Sequence, residues 1–211
     1  GGSIPQGAPV AATVRGRALR DSQANGALMR VSPLAVFGTR LEPEALHTLA
    51  AADASLSHPH EVCVAANQVF VFAISYALRT GASGPEVFET TMAFAKSTLS
   101  CTEVLPTLEL ASHALPADAF THMGWVRIAL QCAFNQLRRA TSFEQAMADV
   151  IALGGDTDTN ACITGALLGS VFGVEGIPAR WVQTVQTCEP RRPREFWCND
   201  LDELAAALVQ R

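Results

Sequence analysis

The sequence is short of several things, and each shortage narrows what the chain can be. Tyrosine occurs once, aromatic residues make up 7% of the chain, and runs of β-branched residues are few. Alanine is abundant instead, a composition that favours helices over strands. No convincing strand pair and no internal repeat can be found. Basic charge is in deficit: the net charge is −5, which argues against a nucleic-acid partner, since non-specific binding to phosphate backbones needs Lys and Arg. No unbroken apolar run reaches the ~20 residues that a bilayer span requires. Residues 161–172 come nearest and are too short, so no membrane partner is expected. The first residues lack the basic flank and apolar stretch of a signal peptide. None of the six cysteines, at 63, 101, 132, 162, 188 and 198, belongs to a Cys-x-x-Cys pair. Cys63, Cys132 and Cys162 lie in apolar helical stretches and read as buried reduced thiols, which predicts a cytoplasmic protein. Cys188 and Cys198 flank a Pro/Arg loop and need not pair.

One further absence is local. No Lys or Arg stands within ten residues of the stretch Leu153-Gly154-Gly155-Asp156-Thr157-Asp158-Thr159-Asn160, although two carboxylates sit there between apolar segments. Buried carboxylates are costly unless they are paired, hydrogen-bonded or bound to a metal. Gly154-Gly155 permits a sharp turn through positive φ, and a helix is predicted from Thr157. Asp156 and Asp158 can converge only on the turn and the first helical positions, where the helix dipole favours negative charge. Two carboxylates and the Thr159 hydroxyl form an all-oxygen donor set, suited to Mg²⁺, Mn²⁺ or Ca²⁺ rather than zinc. The plainer alternative, helix capping, needs only one of these residues. An EF-hand would want Gly at Ala161 and Glu at Leu167. A phosphatase-type Asp-x-Asp would follow a strand, whereas 143–153 reads as a helix. Beyond the motif, Ala161, Gly165, Gly169 and Gly173 recur every four residues and predict a smooth stripe along one helix face.

The remainder reads as helices joined by turns. Residues 1–7 read as a loop and 10–20 as a short helix. Asn25-Gly26 is a strong turn dipeptide, followed by a helix over 28–37 that ends at Gly38. Helices are expected over 43–55 and from about 60 to 79, the latter almost wholly apolar from Val62 to Leu78 and hence central. Ser57-His58-Pro59-His60 interrupts them, Pro59 suiting the first turn of the second with Ser57 or His58 as its cap. Capping boxes at Ser83-Gly84-Pro85-Glu86 and Ser142-Phe143-Glu144-Gln145 open two more helices. Residues 100–117 are the least regular. Residues 118–139 carry an amphipathic helix, broken near Gly124, with Val126, Leu130, Ala133, Phe134 and Leu137 on one face. Short helices over 178–187 and 200–209 close the chain, the last capped by Asn199. Arg191, Arg192 and Arg194 form a basic cluster in a Pro-rich loop. The expectation is an all-α, compact, orthogonally packed bundle of eight to ten helices in a single domain, 1–211.

Three segments in order, Asn25-Gly26-Ala27-Leu28-Met29-Arg30, Ser57-His58-Pro59-His60 and Gly154 to Asn160 with Gly165-Ala166-Leu167-Leu168-Gly169 and Gly176-Ile177-Pro178, resemble the ADP-ribosylglycohydrolase family. That family includes dinitrogenase-reductase-activating glycohydrolase, the ADP-ribosyl-arginine and ADP-ribosyl-serine hydrolases and the J1 crystallins. The resemblance runs from about Asn25 to about Trp197. It implies a Mg²⁺-dependent hydrolase, with one or two ions, that cleaves ADP-ribose from a modified protein side chain or a small ADP-ribosyl compound. It implies Asp156, Asp158 and Thr159 as metal ligands, Asp158 also orienting the attacking water. Asn25, Gly26, Met29 and His58 would hold ADP-ribose, with its diphosphate at the helix N-terminus after Gly26. The family's second metal-binding segment, Thr-Asp-Asp, does not occur in this sequence, which begins where the family's second part would begin. The domain is therefore expected to be incomplete at its N-terminus, with half of a metal site. A fragment of a longer enzyme, a divergent member that borrows ligands from a partner, and a non-catalytic structural or ADP-ribose-binding relative of the crystallin kind all remain open. So does the linkage, to Arg, Ser or another group.

Overall fold

A computed structural model of the chain describes residues 8–101, 103–188 and 193–210. The opening loop, Arg191 and Arg192 lie outside the described residues. Among the described residues eleven α-helices follow one another: α1 (Ala8–Gly16), α2 (Ser32–Phe37), α3 (Pro43–Ala54), α4 (Glu61–Thr80), α5 (Gly84–Thr98), α6 (Val104–Ala111), α7 (Val126–Arg139), α8 (Phe143–Ala152), α9 (Thr157–Gly176), α10 (Ala179–Gln186) and α11 (Leu201–Gln210). Among the described residues there is no strand, only an isolated antiparallel bridge between Ala24 and Trp125.

The apolar sequence of α4 puts it in the middle. Helices α2, α3, α5, α6, α7 and α9 all pack on it, and Val62, Cys63, Val69, Phe70, Val71 and Ile74 are almost fully buried. Each large apolar side chain removed from water contributes roughly 1.5–3 kcal/mol, so α4 supplies much of the driving force for collapse. By length and composition this helix would also suffice to cross a bilayer, contrary to the expectation from unbroken apolar runs; 72% of the relevant window is covered by the protein itself. The amphipathic face of α7 behaves as its spacing predicts, with Val126, Leu130, Ala133, Phe134 and Leu137 all buried. Ser142 caps α8 through a 3.3 Å bond from the Gln145 N–H; Ser83 stands before α5 without a side-chain cap bond.

Helix α6 falls in the stretch that looked irregular and is the extra helix beyond the expected count. The segment that follows it is tied to α7. The carbonyls of Ala111, Ser112, His113 and Ala114 accept hydrogen bonds from Asn135, Arg138, Arg139 and Gln131 of α7, at 2.8–3.0 Å. Of the carbonyls that its last turn leaves open, those of Leu108, Glu109 and Leu110 are met locally by the N–H groups of Ser112, His113 and Ala114 and by the Ser112 hydroxyl, and that of Ala111 by Asn135 of α7. Helix α5 approaches α7 where Gly84 meets the Leu137 carbonyl; a Cβ there would overlap that backbone oxygen. Gly84→Ala is accordingly expected to cost about 1–3 kcal/mol, measured by urea unfolding, with little change in the site described below.

The glycine stripe on α9 is used in part. Gly165 receives Met147 and Phe143 of α8, Gly169 has nothing within 4 Å, and at Gly173 the helix breaks with φ 66.

Candidate functional site

Segments far apart in sequence meet at the N-terminal end of α9. Gly154 and Gly155 turn the chain with φ of 72 and 70. At Gly155 the turn lies directly against the Ala119 carbonyl, and Gly154 lies beside Phe120. Asp156 then occupies the capping position of α9, but its side chain makes no cap bond. Its Oδ2 instead accepts a 2.7 Å hydrogen bond from Asn25 Nδ2, 131 residues earlier. This is the observation that disposes of a capping-only role for Asp156.

Asn25 is itself held firmly. It is buried, its N–H donates to the Gly124 carbonyl at 2.8 Å, and the Val126 N–H donates to the Gln23 carbonyl at 2.9 Å. Trp125 Nε1 donates to Gln23 Oε1 at 2.9 Å, which leaves the Gln23 amide nitrogen 3.3 Å from His60 Nε2. His60, not Ser57 or His58, caps α4, its Nδ1 accepting from the Val62 N–H at 3.3 Å. The sequence offered Pro59 as a first-turn residue, and the helix begins two positions later.

Gly26 faces the His58 ring so closely that a Cβ would lie 2.8 Å from Cε1. His58 Nδ1 is 3.0 Å from Ser57 Oγ, and Ser57 Oγ accepts from Arg30. Burial, with the Arg30 guanidinium second, holds the His58 imidazole below its ordinary pKa of 6.5. The folded state therefore binds fewer protons here than the unfolded chain, and His58 withdraws stability as pH falls below about 6.5. The expected result is a lower melting temperature at pH 5.5 than at pH 7.5, with a shallower slope in His58→Gln; His47, lowered by burial, contributes in the same direction. At Met29 the N–H donates to the Asn25 carbonyl at 3.0 Å and the side chain is exposed. Residues 28–30 form a 3-10 turn and α2 starts at Ser32, so no α-helical N-terminus follows Gly26 to receive a diphosphate.

Asp158 is the second residue of α9 and exposed; its Oδ1 accepts from the Thr159 N–H at 2.9 Å. The motif thus sits at the surface edge, with Asn160 its buried member. Cys162, expected inside, is exposed, with its thiol 3.8 Å from the Met29 carbonyl. Neither Asp156 nor Asp158 forms an ion pair among the described residues. Asp156, Asp158 and Thr159 offer only oxygen donors, which fits a hard divalent cation in kind. Among the described residues no group of three or more His, Cys, Asp or Glu gathers to enclose one, so the chain presents an open set of two carboxylates and a hydroxyl.

The residues that sequence reading missed are Gln23, Ala119, Phe120, Gly124 and Trp125. Gly124 was visible as a helix break; its φ of 77 and its carbonyl bond to Asn25 give the break its purpose.

A family profile described as ADP-ribosylglycohydrolase matches residues 3–211. ADP-ribosylarginine hydrolase Tri1 of Pseudomonas putida is 24% identical over 89% of this chain, which spans 46% of Tri1. Human ADP-ribosylhydrolase ARH3 is 39% identical over 57 residues, 27% of this chain and 14% of its own length. A solved structure titled ADP-ribosylglycohydrolase-related protein complex superposes with a TM-score of 0.76 at 25% identity, covering 92% of this chain and 62% of that one. The chain therefore spans less than two thirds of the relatives it matches. With the profile covering nearly every residue and the all-helical fold shared, the chain belongs to the ADP-ribosylglycohydrolase family.

Proposed function

We propose that the chain carries the ADP-ribose-binding and metal-binding half of a hydrolase that removes ADP-ribose from a modified protein side chain or a related small compound, with Mg²⁺ as the cofactor and Mn²⁺ as a substitute. The observation that supports this most is the Asn25–Asp156 hydrogen bond, which joins two of the motif segments into one constellation. Asp156, Asp158 and Thr159 would hold the ion, with waters and sugar hydroxyls completing its shell. When bound, the ion would polarise the sugar and lower the pKa of a water.

The chain's own residues have separable tasks. Asn25 fixes Asp156 through one carboxylate oxygen and leaves the other to accept from ligand or water. The Thr159 N–H steadies one oxygen of Asp158, which would hold the ion and orient the attacking water. Water adds to ribose C1″ as the bond to the side-chain nitrogen or oxygen breaks, and the proton ends on the leaving group. Gly26 gives the ligand backbone to approach, and neutral His58 offers a hydrogen bond without charge. Six free cysteines support a reducing, cytoplasmic setting.

The test is turnover of ADP-ribosyl-arginine and ADP-ribosyl-serine peptides with Mg²⁺. Activity is expected to fall by on the order of 10²–10³ in Asp158→Ala, the loss of several kcal/mol of transition-state stabilisation. Mg²⁺-dependent ADP-ribose binding with no turnover of either peptide would replace the hydrolase by a binding relative, and absence of both would overturn the proposal.

A further inference from the structure

A polar cleft of about 430 Å³ opens where the end of α6, the end of α7 and the start of α8 meet. The site residues named above do not line it. We propose that this cleft binds a small ligand bearing an oxyanion, a carboxylate or a phosphate.

The argument starts from Gln136. It is 5% exposed, lines the cleft, and its side-chain amide makes no hydrogen bond among the described residues. Its neighbours on α7 behave otherwise: Gln131, Asn135, Arg138 and Arg139 are all engaged by carbonyls at the end of α6. The Gln136 amide is not among the side-chain groups sealed from solvent, so it meets solvent at the cleft wall, where a ligand oxygen can take the place of water. The second feature is the start of α8. Ser142 Oγ satisfies only the Gln145 N–H, so the preceding N–H groups of the first turn are open to an anion. The third is Arg139, which donates one N–H to the His113 carbonyl and has further N–H groups on an exposed guanidinium. Thr141 adds a hydroxyl. Asp149 also lines the cleft but accepts from Gln145 Nε2 at 2.8 Å, so the ligand's negative charge belongs at the end formed by Arg139, Gln136 and the α8 terminus.

The test is an NMR titration of the intact chain with inorganic phosphate and, separately, with acetate, each against chloride at equal ionic strength. A saturable shift of the Gln136 side-chain amide, together with the Phe143 and Glu144 N–H groups, is expected for at least one probe. Arg139→Gln, at an exposed position and with an unchanged thermal melt as its control, should weaken that binding about tenfold, and Gln136→Leu should abolish it. Saturation with phosphate alone assigns a phosphate ligand; saturation with acetate alone assigns a carboxylate. A shift that chloride reproduces, or one that persists unchanged in Arg139→Gln, overturns the proposal.

Discussion

Asn25→Asp is expected to abolish Mg²⁺-dependent ADP-ribose binding and to destabilise the chain by about 2–3 kcal/mol, the cost of losing a hydrogen bond to a charged group. Adding Asp156→Asn to the same chain should restore the stability and leave binding absent. The single change sets two carboxylates where a 2.7 Å amide–carboxylate bond stood, and like charges at that separation cannot both stay ionised. The double variant rebuilds the same pair in reverse, amide at 156 and carboxylate at 25. The contact between the segments returns, but the oxygen donor on α9 has gone. Thermal melts separate the first effect, and calorimetry with ADP-ribose, with and without Mg²⁺, separates the second. Recovery of binding in the double variant would show that a carboxylate at 156 is not required, and the metal-ligand assignment would fall.

Gly155→Ala is expected to cost about 3 kcal/mol, and Gly154→Ala markedly less. Both positions have φ near 70, which burdens any residue with a Cβ by about 1–2 kcal/mol. The difference lies in what the new methyl would meet. At Gly154 it would come to an ordinary contact with the Phe120 ring, 3.5 Å away; at Gly155 it would overlap the Ala119 carbonyl, a backbone atom that cannot swing aside. Overpacking of that kind adds roughly 1–3 kcal/mol. For a chain of this length the Gly155 variant should melt some ~6–12 °C lower. Equal melting temperatures for the two variants would mean that the approach of residue 119 does not govern the turn.

Much of the fold was legible because α7 buries the face that its own periodicity marks and α4 is apolar along most of its length. The site's dense motif was legible for a related reason: two glycines, two aspartates and two threonines in six positions have no cheap structural role. What escaped was whatever depended on distant partners. Helix α6 is followed by a segment whose carbonyls are held by side chains of α7, a tie that its own residues do not announce. The α4 cap passed from Ser57 or His58 to His60 because Gln23, held by Trp125, draws that imidazole into place. The apolar surroundings of 153–160 suggested burial, yet Asp158 and Cys162 face outward; a helix that is apolar nearly all round gives no period from which to choose its wet side. The glycines of α9 were legible as a pattern, but only Gly165 meets a neighbour, because neighbours are chosen by topology.

The bond between Asn25 and Asp156 makes the site a gauge of chain continuity. Two groups 131 residues apart meet only after the intervening helices have docked, so their contact belongs to the slow, non-local part of folding. A single protease nick between α6 and α7 would leave every helix in place and barely alter a circular-dichroism spectrum. It would nevertheless convert an intramolecular contact into an association between two pieces, dependent on how firmly the surrounding helices hold them together. Ligand affinity would then register damage that helix content cannot.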